Sequence, residues 1–478
     1  MGGRRRLRAV VASVAVAAAA AAALPAQSPA AVPEATLKAR QHFFGAENVA
    51  ADGSLPRGRV ILSWFSVASY AAAIDGHVVL LDAYVHKGED RPNYVPTTTD
   101  ELAELKPEAI FIGHGHYDHG KLVGELATRT GATVVGTPEH CDQARAQAET
   151  YAGRALPIAC VEAVDRGSAP GAQVRELRPL GDDVCISVFK HVHSAAEPPD
   201  AEHRDPQLLP PPLIDPTLIL VHPPGPAAVA GLADVAGDEG SSLLYQFRVG
   251  RFALVWNDSS GPLRERAPNV FDVMRRMPPT DVHVNAVVGF NNPTNGVRDP
   301  VDYVEALRPK VMYPNHHDFV SEYGAGDDFE QYVRREMARH EGLAQGTELR
   351  WMRDPYDYLR PGLMTFDVDD ARWAQDGADP ARPSGRCGCP SRRRTSFRLH
   401  RVPGTRIVRA EAFVNGRRTL VRTGRDLRSL TLDLPAAGRL RVRIVATHTS
   451  GAKVVSTRTY DGCTKSRPVT RVVRPPRS

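Results

Sequence analysis

The chain has 478 residues, 42% apolar and 24% charged, a globular balance that excludes wholesale disorder and fibrous architectures. Thirty-nine glycines and 39 prolines argue for many turns and against a helical bundle. The net charge of +5 hides a split: residues 391–478 carry 22 Lys/Arg against 4 Asp/Glu, whereas residues 31–390 carry 34 against 51. An acidic body of net −17 is therefore joined to a basic tail of net +18, as expected of units that meet different partners.

Met1 to Arg8 reads MGGRRRLR, a 16-residue Ala-rich run spans Ala9 to Leu24, and small residues follow to Ala30. That order predicts a secretory signal peptide over residues 1–30. The run falls short of the ~20 apolar residues that a membrane span needs. The protein is expected to be secreted by the general route, with the consecutive arginines permitting a twin-arginine route instead. Six cysteines, an even number, favour disulfides in such a compartment. Cys141 and Cys160 are spaced to staple one segment. Cys387 or Cys389 with Cys463 would bracket the basic unit, and Cys185, in an apolar run, is expected as a buried free thiol.

Along the body, strand-like and helix-like runs alternate. Val60 to Val67 and His77 to Leu81 predict a hairpin pair. Thr98 and Glu101 fit a capping box that opens a short helix. Ala109 to Ile112 reads as a buried strand, Lys121 to Thr130 as helix, Thr133 to Val135 as strand and Glu139 to Tyr151 as helix. Cys160 to Ala163 and Val184 to Val192 read as strands. Residues 195–240 look like an irregular insertion, rich in Pro, Gly, Asp and Ala. Leu243 to Val249 and Phe252 to Trp256 predict a second hairpin across Gly250-Arg251. Helices near Phe271 to Met277 and Tyr303 to Leu307 flank a strand near Val282 to Val288, and Val311 to Tyr313 is a last short strand. This alternation predicts two mixed sheets with helices outside them, over residues 31–375. Residues 376–394 read as a linker. Short runs from Ser396 to Tyr460, spaced by ~8–12 residues, predict a small immunoglobulin-like β-sandwich over 395–478. Asn415-Gly416 is a hairpin turn signal within it.

One segment carries chemistry. Gly113-His114-Gly115-His116-Tyr117-Asp118-His119-Gly120 places three imidazoles and a carboxylate just after a buried strand. Both are good ligands for zinc and related divalent ions. Side chains on a straight strand alternate faces, so this spacing demands a turn, and the glycines permit one.

The segment resembles the His-x-His-x-Asp-His signature of the metallo-β-lactamase-fold hydrolase superfamily, and the resemblance covers about residues 55–355. It implies an α/β fold, an αββα sandwich with two metals on its edge. His114, His116 and a later His would bind the first metal; Asp118, His119 and a final His the second; a later Asp would bridge them. The third His is expected at His193, with His191 as rival and His140, placed at the surface, a weaker one. The bridging Asp is expected at Asp258, although Asn257-Asp258-Ser259 departs from the family's usual Gly-Asp-Thr. The final His is expected at His316, with His317 as its supporting or proton-donating neighbour. Asp82 resembles a family Asp that supports the metal loop through hydrogen bonds. Trp64, Phe65 and Tyr70 are candidate pocket residues, with ordinary core as their plainer role.

The resemblance implies two divalent ions, zinc first and manganese or iron as alternatives, which share a hydroxide oriented by Asp118. The substrate would be a small-molecule or anionic ester, such as a phosphodiester or lactone. A true β-lactamase is disfavoured, because those relatives generally lack the bridging carboxylate. The run Lys106 to Val135 is similar to secreted actinobacterial hydrolases. Two alternatives remain: a mononuclear iron oxygenase of the same fold, and a non-catalytic protein whose basic unit binds cell-wall or other polyanions. The basic unit could equally dock on the acidic body.

Overall fold

The computed structural model describes residues 31–85, 97–195, 198, 200–203, 240–250, 252–288, 295–317, 326–352, 357, 360–373, 392–435, 439–461 and 469–473. The expected leader, most of the 195–240 insertion, the linker up to residue 391 and Cys387, Cys389 and Cys463 lie outside them. Among the described residues no helix is long and apolar enough to cross a membrane.

The first half comprises α1 (Glu34–Phe44), β1 (Arg59–Ser66), β2 (Ser69–Ile74), β3 (His77–Leu81), α2 (Thr99–Glu104), β4 (Ala109–Phe111), α3 (Tyr117–Gly120), α4 (Val123–Thr130), β5 (Thr133–Gly136), α5 (Pro138–Ala152) and β6 (Cys160–Glu162). The second comprises β7 (Arg175–Leu177), β8 (Cys185–His191), β9 (Ser242–Val249), β10 (Phe252–Asn257), α6 (Leu263–Arg266), α7 (Asn269–Arg275), β11 (Val282–Ala286), α8 (Arg298–Leu307), β12 (Val311–Asn315), α9 (Gly326–Arg339), β13 (Glu348–Leu349) and β14 (Thr365–Asp367). One sheet runs β14-β1-β2-β3-β4-β5-β6 and the other β13-β12-β11-β10-β9-β8-β7.

The strands are apolar on both faces because both faces are covered. In β1, Val60, Leu62 and Trp64 point into a core shared with Ile186, Tyr245, Trp256 and Tyr313 of the other sheet. The intervening Ile61 and Phe65 pack outward with Phe43, Phe44, Leu102, Leu126 and Ala144 of the helices. Behind the second sheet lie α7, whose Val270 and Met274 pack with Tyr303 of α8, and α9, whose Phe329 and Val333 pack with Met312. The layers are α, β, β, α, as expected. Trp64, Phe65 and Tyr70 are at most 2% exposed and belong to these cores rather than to a pocket.

Local signals explain most boundaries. Thr98 and Glu101 form the reciprocal capping box. Thr137 caps α5, Pro138 takes the first turn, and Gly153 ends it in the left-handed region. The hairpin read from residues 60–67 and 77–81 is instead a three-stranded meander. Ser69–Ile74 intervenes, and its Ala71-Ala72-Ala73 stretch carries little strand propensity, so pairing on both sides makes it a strand. Helices α1 and α9 and strand β7 had no counterpart in the reading of the sequence.

Cys141 and Cys160 form a disulfide between α5 and β6. Closing a loop of this length stabilises the fold by roughly 3 kcal/mol. Cys185 is also disulfide-bonded, which corrects its reading as a free thiol.

The C-terminal part is all β: β15 (Arg392–Arg398), β16 (Ile407–Val414), β17 (Arg417–Thr423), β18 (Ser429–Pro435), β19 (Arg439–His448), β20 (Lys453–Asp461) and β21 (Val469–Val473). Sheets β15-β18 and β17-β16-β19-β20-β21 share a core that includes Phe397, Ile407, Leu430 and Ile444. Strand β15 begins within the span read as linker. Asn415 and Gly416, both at positive φ, make the β16–β17 turn.

Candidate metal centre

Five segments leave their strands at one edge of the sandwich. Asp82 follows β3, residues 113–120 follow β4, His193 follows β8, Asp258 follows β10 and His316 follows β12. Strands β3 and β4 are parallel, as are β10, β11 and β12. Strand β8 is antiparallel to β9, which is antiparallel to β10, so the C-terminal ends of β8, β10 and β12 also coincide. The sheets are pinned together there. Leu243 N–H donates to the Gly113 carbonyl (2.8 Å) and His316 N–H to that of Val67 (3.1 Å).

Two triads of donor atoms result. In the first, His114 Nε2 lies 3.1 Å from His116 Nδ1 and 3.1 Å from His193 Nε2. In the second, Asp118 Oδ2 lies 3.7 Å from both His119 Nε2 and His316 Nε2. The rings of His119 and His316 stack at 5.1 Å.

Acceptors behind the rings set the tautomers. Nδ1–H of His114 donates to Asp258 Oδ2 (2.6 Å), that of His119 to Asp82 Oδ2 (2.8 Å) and that of His193 to the Ser194 carbonyl (2.6 Å). Each ring then presents an Nε2 lone pair forward. Burial keeps these imidazoles neutral. It lowers His119 to about 4 and His193 to about 3, and with the neighbouring histidines pushes His114 well below its ordinary pKa. His116 is lowered too, by burial.

Asp82 is fully buried at positive φ, a conformation Asp tolerates. Its Oδ1 accepts from Gly113 N–H (2.9 Å), so the carboxylate holds both the loop and His119. Burial and then the charge of Asp258 hold its carboxyl well above the usual range. Gly113 is required sterically, because a Cβ there would lie 2.1 Å from Asp258 Cγ.

The expected residues thus converge, with three refinements. His191 points elsewhere, its Nδ1 meeting Tyr303 Oη at 2.9 Å, so His193 is the histidine brought to the site. His317 is in neither triad. The residue after His316 turns to the helical side, and its ring packs edge-on against Trp351 at 4.9 Å. His140 is buried, not at the surface; it forms the reciprocal cap of α5 with Thr137. Asp258 Oδ2 sits behind His114 and is 3.3 Å from His119 Nδ1. Its Oδ1 is buried without a hydrogen bond among the described residues.

Two residues were missed. Gln143 Nε2 donates to the Gly115 carbonyl (2.7 Å) and Gln147 Nε2 to that of Gly120 (2.9 Å), fixing both ends of the histidine loop from α5. Their i, i+4 spacing was the available signal.

The donor set suits a metal. Ligands ~2.0–2.1 Å from a tetrahedral zinc stand ~3.3 Å apart, close to the first triad's spacing. The unpartnered Asp258 Oδ1 is a further acceptor that a cation would satisfy.

The chain has the αββα sandwich of the metallo-β-lactamase fold, with a His-x-His-x-Asp-His loop at its strand ends. No protein-family model matches it. It is 31% identical over 86 residues to a UPF0173 metal-dependent hydrolase of Methanopyrus kandleri, covering 18% of this chain and 34% of that one. A counterpart from Halorubrum lacusprofundi is 32% identical over 78 residues, 16% of this chain and 27% of that one. The chain spans about a third of the length of the curated relatives it matches. Among solved structures, Igni18, a metallo hydrolase of Ignicoccus hospitalis, aligns at TM-score 0.40 and 16% identity over 62% of this chain and 96% of that one. Zinc-bound PqqB of Methylobacterium extorquens aligns at 0.33 and 10% identity over 61% and 97%.

Proposed function

We propose that this protein is a metal-dependent hydrolase with two divalent ions, acting outside the cell on a phosphodiester, lactone or related ester. The observation that carries the reading is the first triad: the nitrogens of His116 and His193 each lie 3.1 Å from His114 Nε2, with acceptors set behind His114 and His193. His114, His116 and His193 would hold one ion and Asp118, His119 and His316 the other, with Asp258 behind the rings of His114 and His119 as their support rather than as the expected bridge.

When bound, such ions supply Lewis acidity and lower the pKa of water. The chain's own residues supply the rest. Asp118, 30% exposed, is the most accessible carboxylate of the set and can orient a nucleophilic water and take its proton. Asp82 and Asp258 hold the rings of His119 and His114 against rotation. Five imidazole ligands against two carboxylates, Asp118 and Asp258, would leave the loaded two-ion centre net positive, which favours an anionic or carbonyl-bearing substrate.

Metal analysis of purified protein, with a panel of phosphodiester, lactone, ester and β-lactam substrates, tests this. Two zinc or manganese ions with phosphodiester or lactone turnover are expected. One iron with oxygen consumption would replace the reading with an oxygenase, and no bound metal would remove it.

A further inference from the structure

The C-terminal unit presents a sheet face that the strand-end centre does not use. In its five-stranded sheet, Ala410, Ala412, Leu420, Val442, Ile444 and Ala446 pack into the core of that unit. Successive side chains of a strand alternate faces, so the residues between these point outward. The pairing aligns Val421, Glu411, Val445, Val455 and Val473 in one outward row across all five strands. At ~4.8 Å per strand the row is about 19 Å wide. Val421 is 40% and Val473 55% exposed, two of the five large apolar side chains that the described residues leave open to solvent.

Cations flank this row on both sides. The row on one side holds Arg409 and Lys453, joined through Thr447; the row on the other holds Arg418, Phe413 and Arg443, with Arg441 beyond it. All five cations are exposed. Glu411 is the one carboxylate of these rows, 3.2 Å from Arg409 and 3.6 Å from Arg418. Five cations against one carboxylate leave the face at net +4. The acidic body does not neutralise it, because these cations stay exposed in the full chain and their ion pairs among the described residues are with Glu411. The one aromatic ring of these rows is taken: the Arg443 guanidinium lies over Phe413, 5.3 Å from the ring centre.

We propose that this face docks on a bilayer surface rich in anionic phospholipid. An open valine stripe rimmed by cations fits a partner that is anionic at its surface and apolar just beneath. The phosphate headgroups meet the four arginines and Lys453, whose long side chains reach outward past the valines, and the stripe meets the acyl boundary. A single-stranded nucleic acid would find charge here but no free aromatic platform on which to stack its bases. Docking of this kind needs no metal and is independent of the strand-end centre; it would hold the attached body beside the membrane.

The test is co-sedimentation of the full-length protein with vesicles of phosphatidylglycerol mixed equally with phosphatidylcholine, against phosphatidylcholine alone. Binding is expected on the anionic vesicles only, and more weakly as salt rises from about 0.1 M to about 0.5 M. Each basic residue near such a surface is worth roughly fivefold in partition, so Arg409→Gln with Arg443→Gln should weaken binding about 25-fold. Val421→Thr with Val473→Thr keeps charge and β-branching and should weaken it about threefold. Arg425→Gln with Arg428→Gln removes the same charge from the exposed segment before β18, off this face, and should cost less than threefold. Circular dichroism checks that each variant keeps the fold. No binding to anionic vesicles, or equal losses in the two arginine pairs, overturns the docking face. Undiminished binding of the valine variant, with soluble polyphosphate bound as tightly as the vesicles, overturns the lipid partner and leaves a site for soluble polyanions.

Discussion

The two triads at the sandwich edge are built differently. In the first, His114 and His116 are 1% and 6% exposed, and acceptors behind His114 and His193 fix their ring orientation. In the second, Asp118 is 30% and His316 18% exposed, the donor atoms stand 3.7 Å apart, and His316 is held at positive φ. One set is closed and preorganised; the other is looser and faces outward. A buried set of this kind holds an ion regardless of substrate, whereas an open set leaves room for substrate or water at the ion.

The largest effect should come from breaking the closed set. His114→Ala removes the nitrogen shared by both 3.1 Å contacts and leaves Asp258 Oδ2 without its main partner. Turnover should fall on the order of 10³-fold or more, about 4 kcal/mol of barrier, with the first ion lost in elemental analysis. Asp118→Asn attacks the open set. It should cost on the order of 10²-fold in kcat with KM little changed, the bound ions falling from two to one. If either variant emptied both triads together, the contrast would fail and the edge would be one cooperative site.

Asp82→Asn should act more mildly. Asn keeps an acceptor but weakens the support of His119 and the Gly113 N–H, so metal affinity should drop about 10–100-fold while the fold persists. Competition with a chelator would measure it. An unchanged affinity would show that packing alone orients His119.

Much of this was legible in the sequence. The His-x-His-x-Asp-His loop announces itself because six consecutive residues carry four of the ligand-type side chains. Strands such as Ala109–Phe111 and Phe252–Asn257 read clearly because burial on both faces makes them continuous apolar runs. Strand β2 did not, because alanine has little strand preference and pairing decides it. The choice of His193 over His191 was not fixed by spacing. The ladder ends at His191, so His193 is free of the strand alternation that would give it the same face.

The contrast between buried and open histidines extends to acid stability. His283 is fully buried on β11, its Nε2–H donating to Asn257 Oδ1 (2.7 Å), and burial lowers its pKa to about 3. The unfolded chain titrates near 6.5, so it takes up this proton first. Stability is therefore complete above about pH 6.5 and falls as pH drops toward 3. Thermal melts of chelator-treated protein should show Tm falling across that window. His283→Asn should flatten the fall even if it lowers Tm overall, and an unaltered slope would exclude His283 as a source.

The smallest effect is expected at the loop's support. Gln143→Ala leaves the Gly115 carbonyl without its side-chain donor at a part-buried position, a loss of about 1 kcal/mol. Gly115 lies between His114 and His116, so the closed set would lose rigidity rather than a ligand. Metal affinity at the first triad should fall about fivefold, with the second triad unaffected. Equal weakening at both would mean that the loop moves as one body through Gln147, and the closed and open sets would then share a single support.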